Sequence, residues 1–156
     1  MNKIINIPPP DVKANFDDKE YDHPTQVKVV NKMFVGEKEG LETEFWREIN
    51  KKINSYKTQD VNKKKYDKNL FIKKEEVIEK LVASKLTCYY CVNPVYIIYK
   101  HVRQNDQWTL ERLDNSIGHH AENVVISCLK CNLKRRTSNH NYFKFTKQLK
   151  INKIKA

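Results

Sequence analysis

Trp108–Arg136, WTLERLDNSIGHHAENVVISCLKCNLKRR, is the stretch on which the fold turns. WTLERL alternates apolar and polar residues as a half-buried strand does, DNSIGHHAEN is rich in turn formers, and VVIS reads as a second short strand. Cys128-Leu-Lys-Cys131 then opens a basic helix. It answers an earlier pair, Cys88-Tyr-Tyr-Cys91, with 36 residues between Cys91 and Cys128. Each Cys-x-x-Cys turn presents two thiolates to one ion, and two turns complete the tetrahedral sulfur shell that zinc prefers. A closed shell leaves no position for water or substrate. Zn²⁺ on Cys88, Cys91, Cys128 and Cys131 is therefore expected to be structural.

Outward from this stretch the pattern changes to helical. KKEEVIEKLVASK sets Val77, Ile78, Leu81 and Val82 on one stripe, with Glu75 and Glu76 near its start and Lys85 at its end, as the helix dipole favours. Between this helix and Trp108, VNPVYIIYKHV (92–102) is β-branched and aromatic and reads as extended, and RQNDQ supplies a turn. Further upstream Leu41, Phe45, Ile49, Ile53 and Tyr56 recur at helical spacing, with Trp46 beside them and Arg47, Lys51, Lys52 and Lys57 on the other face. KTQDVNKKKYDKN (57–69) has little to bury and reads as a linker. Residues 1–36 read as a tail: Pro8-Pro9-Pro10 cannot lie in a helix interior, and Val27, Val29, Val30, Met33, Phe34 and Val35 form a short apolar patch suited to a strand or a docking segment. The division expected is a tail over 1–36, an amphipathic helix and linker over 37–70, and a zinc-bearing domain over 71–156.

Lys and Arg outnumber Asp and Glu by 30 to 19, for a net charge of +11, which points to a polyanionic partner, nucleic acid first among them. From Leu129 to the end there are nine Lys or Arg and no acid, with Tyr142, Phe143 and Phe145 interleaved. No apolar run approaches the roughly twenty residues that span a bilayer. MNKIINIPPP lacks the apolar core and small-residue site of a signal peptide. A soluble, intracellular protein of cytoplasm or nucleus is expected, with no membrane partner. Reduced thiols there favour a metal site over disulfides.

The order of first Cys pair, hairpin strand, loop Asn, second pair and Cys-Asn resembles the ββα-metal core of zinc-bearing HNH endonucleases, over about residues 71–140. The resemblance implies an α+β fold: a treble-clef-like ββα-metal zinc domain carrying a basic, mainly helical N-terminal extension. It implies a metal-dependent endonuclease hydrolysing phosphodiester bonds, with DNA as the expected substrate. Glu111-Arg112-Leu113 matches the family's acidic-His-aliphatic tripeptide, so Glu111 takes the place of the metal-binding carboxylate. Asn123 matches the Asn that steadies the loop, and Asn132 matches the final His or Asn, the second metal ligand. A carboxylate and an amide make a hard-oxygen site suited to Mg²⁺ or Mn²⁺. Lys130, Lys134, Arg135 and Arg136, with Arg112, would bring the module onto the phosphate backbone.

Arg112 is where the sequence departs from the family. The family's His there is the general base, and Arg, protonated to above about pH 12, cannot take a proton. Three readings stay open. Arg112 clamps a phosphate while His119, His120 or Asp114 supplies the base; Asp114 can equally serve as a metal ligand or as a plain turn residue beside Asn115. In the second, metal-bound hydroxide attacks without a protein base. In the third, catalysis is lost and the chain is an inactive zinc module binding nucleic acid, or a subunit of a larger nucleic-acid-processing complex. A zinc-scaffold protein adaptor is a further class.

Overall fold

Asp22 and Pro24 start a helix where the sequence suggests only a tail. The computed structural model describes residues 16–153; the proline run Pro8–Pro10 lies outside them. Helix α1 (His23–Phe34) is capped by Asp22, which accepts from Thr25 N at 3.4 Å, and a proline in its first turn needs no donor there. The apolar patch is thus not a strand: Val29, Val30 and Met33 face one side of a helix and enter the core.

Helix α2 (Leu41–Asn62) follows Gly40, whose φ of +69° suits glycine at the helix entry. Phe45, Ile49 and Ile53 bury as the spacing predicts. The helix also runs on through 57–62, where a linker was expected, because its buried stripe continues past the apolar residues to Asp60, 0% exposed. Helix α3 (Lys74–Ala83) agrees with its periodicity and buries Val77, Ile78 and Leu81; the Glu76 carboxylate accepts from Lys73 N at 2.7 Å, closing its first turn.

Strands β1 (Trp108–Arg112) and β2 (Val124–Cys128) pair antiparallel, with Trp108 opposite Cys128, Leu110 opposite Ile126 and Arg112 opposite Val124. Helix α4 (Leu129–Arg135) leaves directly from β2, and α5 (His140–Gln148) packs back on the first Cys turn. The described residues form an α+β fold of helices around one small sheet. Val30, Phe45, Ile49, Val77, Leu81, Tyr90, Trp108 and Leu110 belong to one continuous core, so α1 and α2 share it with the cysteine-bearing half. No described helix is long and apolar enough to cross a membrane.

The apolar segment 92–102 does not become a strand. It buries Val95, Ile97, Ile98 and Tyr99, yet its strand-type pairing is limited to isolated bridges such as Tyr96 with Gln107. Val95 N donates to Leu86 O (2.8 Å) and Tyr96 N to Asp106 O (3.0 Å), and at Ile97 and Ile98 one side chain from α1 takes over. Gln26, fully buried, accepts from Ile97 N (2.8 Å) and Ile98 N (3.1 Å) and donates to Ile98 O (2.9 Å). A buried amide takes the place of a neighbouring strand.

Candidate active site and metal centre

The two Cys turns meet. All four sulfurs lie within 4.8 Å of one another, and Cys91 Sγ is 3.9 Å from Cys128 Sγ. A tetrahedral shell with zinc–sulfur bonds of about 2.3 Å spaces its sulfurs about 3.8 Å apart, so this cluster could hold a zinc ion. Backbone amides face the sulfurs as thiolates require: Tyr90 N donates to Cys88 Sγ and Cys131 N to Cys128 Sγ, each at 3.4 Å. A hydrogen bond from the Cys128 thiol holds Cys88 down at about 5, whereas burial pushes Cys131 up to about 12. Four thiolates share so small a volume only with a cation between them.

The hairpin between these turns opens on a cavity of about 460 Å³. Glu111, Arg112, His119, Asn132 and Arg136 line it, joined by Tyr56, Gln59, Lys63 and Lys65 from α2 and the turn after it. Glu111 is 3% exposed. One of its oxygens, Oε1, is paired with Arg135 Nη1; the other, Oε2, is buried without any hydrogen-bond partner. Burial raises the Glu111 carboxyl above its usual range, and Arg135 opposes that rise. Asn132 donates from Nδ2 to Thr109 Oγ1 at 3.1 Å, and Thr109 is itself tied to Ser127 O at 2.9 Å. That chain orients the amide, and its oxygen has no protein partner among the described residues.

An orphaned carboxylate oxygen and a free amide oxygen on one cavity are donors of the kind a hard divalent cation takes. The residues present therefore fit the Mg²⁺ or Mn²⁺ that the resemblance implies.

Of the three residues weighed as base, the structure brings one to this cavity. His119 is 3% exposed; its Nδ1 lies 2.8 Å from Asp60 Oδ1 and its backbone N donates to Asp60 Oδ2 at 2.6 Å. The Tyr56 ring packs on the imidazole with centroids 4.5 Å apart. Burial lowers the His119 pKa below its ordinary value, against the pull of Asp60, so the ring is neutral at pH 7. With Nδ1 committed to Asp60, Nε2 is the nitrogen left for other chemistry. His120 lies on the other side of the loop, among Phe71, Ala121 and Asn123. Asp114 accepts from Ser116 N (2.8 Å) and Ser116 Oγ (2.6 Å), a turn residue outside the cavity, held below the usual carboxylate range by that hydroxyl.

Asn123 holds the loop from within. Its oxygen accepts from Asp114 N at 2.9 Å, and its amide donates to Asp114 O (2.9 Å) and Gly118 O (3.1 Å). Arg112 donates to Ile117 O at 3.1 Å and so braces the same loop from the cavity side.

The basic residues divide. Arg136 is exposed and lines the cavity, Lys134 is exposed, and Lys130 lies in a groove beside Cys128 and Cys131 with Asn105 and Lys147. The expectation of Arg135 as a phosphate-facing cation is not met. It is 3% exposed, and besides Glu111 it donates to Arg112 O (2.7 Å), Leu113 O (2.8 Å) and Ser138 O (3.1 Å). A helix that must face β1 buries the position three residues after Asn132 against the strand, and a buried guanidinium takes whatever acceptors that strand end leaves open.

Asp60 and Tyr56 are absent from the candidate site residues of the sequence, where Tyr56 reads only as part of an apolar helix stripe. The signal was there: Phe45, Ile49, Ile53, Tyr56 and Asp60 follow one another by three or four positions, and the stripe simply turns polar at its end. No family model, no curated protein and no solved structure matches this chain.

Proposed function

We propose that this protein is a metal-dependent endonuclease that hydrolyses phosphodiester bonds, with DNA as its substrate, and that His119 takes the general-base role for which Arg112 is chemically unfit. One observation carries the reading: Glu111, Asn132, Arg112 and the Asp60-held His119 line a single cavity. The antiparallel hairpin followed at once by α4 supports an HNH-like ββα core. Zinc on the four cysteines is then a structural ion, distinct from the catalytic one.

In this reading Asp60 fixes the tautomer with the proton on Nδ1, and Nε2 of His119 accepts a proton from water. The water oxygen attacks phosphorus, the bond to the leaving oxygen breaks, and solvent protonates that oxygen. Glu111 and Asn132 are the residues that would hold a divalent cation, which would supply Lewis-acid stabilisation of the charge that develops at the phosphate. Arg135 opposes the rise that burial imposes on the Glu111 carboxyl and fixes one of its oxygens, leaving the other free. Lys63, Lys65, Arg112 and Arg136 draw the backbone in.

The second reading is binding without cleavage, and the buried Glu111–Arg135 pair favours it, since a carboxylate already neutralised needs no metal. A cleavage assay on supercoiled, single-stranded and branched DNA with Mg²⁺ or Mn²⁺ decides between them. Cutting that is lost in Glu111→Gln and His119→Ala, with zinc content unchanged, supports the nuclease. Salt-sensitive binding with every substrate left uncut establishes the binding module instead.

A further inference from the structure

Helix α5 presents two unlike faces. The inner face is pinned to the first Cys turn: Phe143 packs edge-on to Tyr90 with centroids 4.9 Å apart, Lys144 Nζ sits 3.9 Å over the Tyr89 ring, and Gln148 donates to Tyr90 O at 3.0 Å. The outer face is apolar and bare. Tyr142 is 76% exposed, Phe145 65% and Leu149 50%. Their spacing of three and four residues sets Tyr142 and Phe145 in one row on the helix, with Leu149 following at its C-cap.

Single exposed apolar residues are ordinary, but two aligned rings on a nine-residue helix with a third apolar residue at its C-cap make a patch. The segment that carries the row is rich in cations. Lys134 and Lys150 are exposed and Lys147 is half-buried, and no acidic residue occurs after Leu129.

We infer that the Tyr142–Phe145 face of α5 is a stacking platform for the unpaired bases of single-stranded nucleic acid, whose phosphates the surrounding lysines hold. Three candidate occupants differ in their physics. A second copy of the chain would set this lysine-rich segment against itself, which Coulomb repulsion opposes. A membrane surface would gain little from three apolar residues on so short a helix. A base offers each ring a π-face and brings a phosphate with it, satisfying both features of the patch. A duplex buries its base faces and offers the rings nothing, so the partner is an unpaired strand. The site also lies next to the cavity along the chain: Thr137 lines that cavity, and α5 begins at His140. Binding here does not depend on cleavage, though it shares with the proposed function a nucleic-acid partner.

The test is fluorescence anisotropy of the zinc-loaded full chain, in the absence of Mg²⁺ and Mn²⁺, on a labelled twenty-base oligothymidine and a duplex of equal length. Tyr142→Ala and Phe145→Ala are expected to weaken single-strand binding on the order of tenfold or more each and to leave duplex binding and the salt slope unchanged. Phe145→Tyr should keep the affinity, whereas Phe145→Leu, apolar but unable to stack, should lose it. Both rings are exposed, so far-UV circular dichroism and zinc content should not move. Equal losses on duplex and single strand, or none on either, overturn the inference. So does ring-dependent binding to phosphatidylserine vesicles without single-strand binding, or a dimer in sedimentation that the double alanine variant abolishes. An uncut plasmid alongside ring-dependent single-strand binding sinks only the nuclease; a cut plasmid with ring-independent binding sinks only this site.

Discussion

Asp60 Oδ1 lies 2.8 Å from His119 Nδ1, bridging 59 positions of sequence, and both residues are almost wholly buried. The same carboxylate receives the His119 backbone N–H through its other oxygen at 2.6 Å. Imidazole, loop backbone and α2 are thereby locked in one geometry.

Removing the carboxylate should therefore act on both rate and fold. Asp60→Ala strands two buried donors, each costing about 1–3 kcal/mol, so a loss of roughly 2–6 kcal/mol is expected in urea unfolding. Asp60→Asn, nearly isosteric, should spare more of the fold. It withdraws the influence that raises the His119 pKa, so the plateau cleavage rate falls and the acid limb of the pH–rate profile moves to lower pH. A profile unchanged in Asp60→Asn would remove His119 from the base role.

The His119 pKa also sets a stability trend. Burial depresses it in the folded chain below its ordinary 6.5, so the unfolded chain binds the proton more readily. The contribution is whole above about pH 6.5 and is lost as pH falls from there through the folded pKa. Denaturation midpoints measured between pH 8 and pH 5 should decline over the lower part of this range, and His119→Gln should flatten the decline.

Gly118 has no room for a side chain. A Cβ there would lie 2.5 Å from Lys65 O and 2.7 Å from Asp60 Oδ2. Both atoms belong to the frame that holds His119, so Gly118→Ala should cost about 1–3 kcal/mol in thermal unfolding and lower cleavage more than Ser116→Ala does.

Arg135→Met leaves Glu111 buried and unpaired, a change worth about 3–5 kcal/mol. Because Arg135 is not at the surface, its loss should not reduce the salt slope of DNA binding, whereas Arg136→Ala should. The double variant Glu111→Gln with Arg135→Met is expected to regain part of the lost stability.

Zinc removal should be the largest perturbation. A structural zinc contributes on the order of 10 kcal/mol to folding, so a strong chelator is expected to abolish the near-ultraviolet dichroism of buried Trp108. Elemental analysis should return one zinc per chain, and Cys88→Ser or Cys131→Ser should lower that value.

Much of this was legible in the residues, and the illegible parts share a cause. The Cys turns, β1, β2 and α3 follow from spacing, alternation and helical period, which are local properties of the chain. Residues 57–62 looked like a linker because Asp60 is polar, and only the loop histidine opposite explains why a carboxylate is buried there. The segment 92–102 has the composition of a strand, yet the backbone partner of its Ile97 is the Gln26 side chain, 71 positions away. Arg135 sits in a run of cations that reads as surface, until β1 is found packed against it.

The sequence by itself therefore determined the four-sulfur cluster, the hairpin and the helix leaving it, because fixed spacings along one chain dictate them. It also brought Glu111, Asn123 and Asn132 into consideration, and His119 as one of three possible bases. Only the tertiary structure decided which of those shares the cavity, since the choice depends on where α2 lays Asp60. Burial and hydrogen-bond partners are properties of what comes to lie opposite a residue, and no local pattern encodes them.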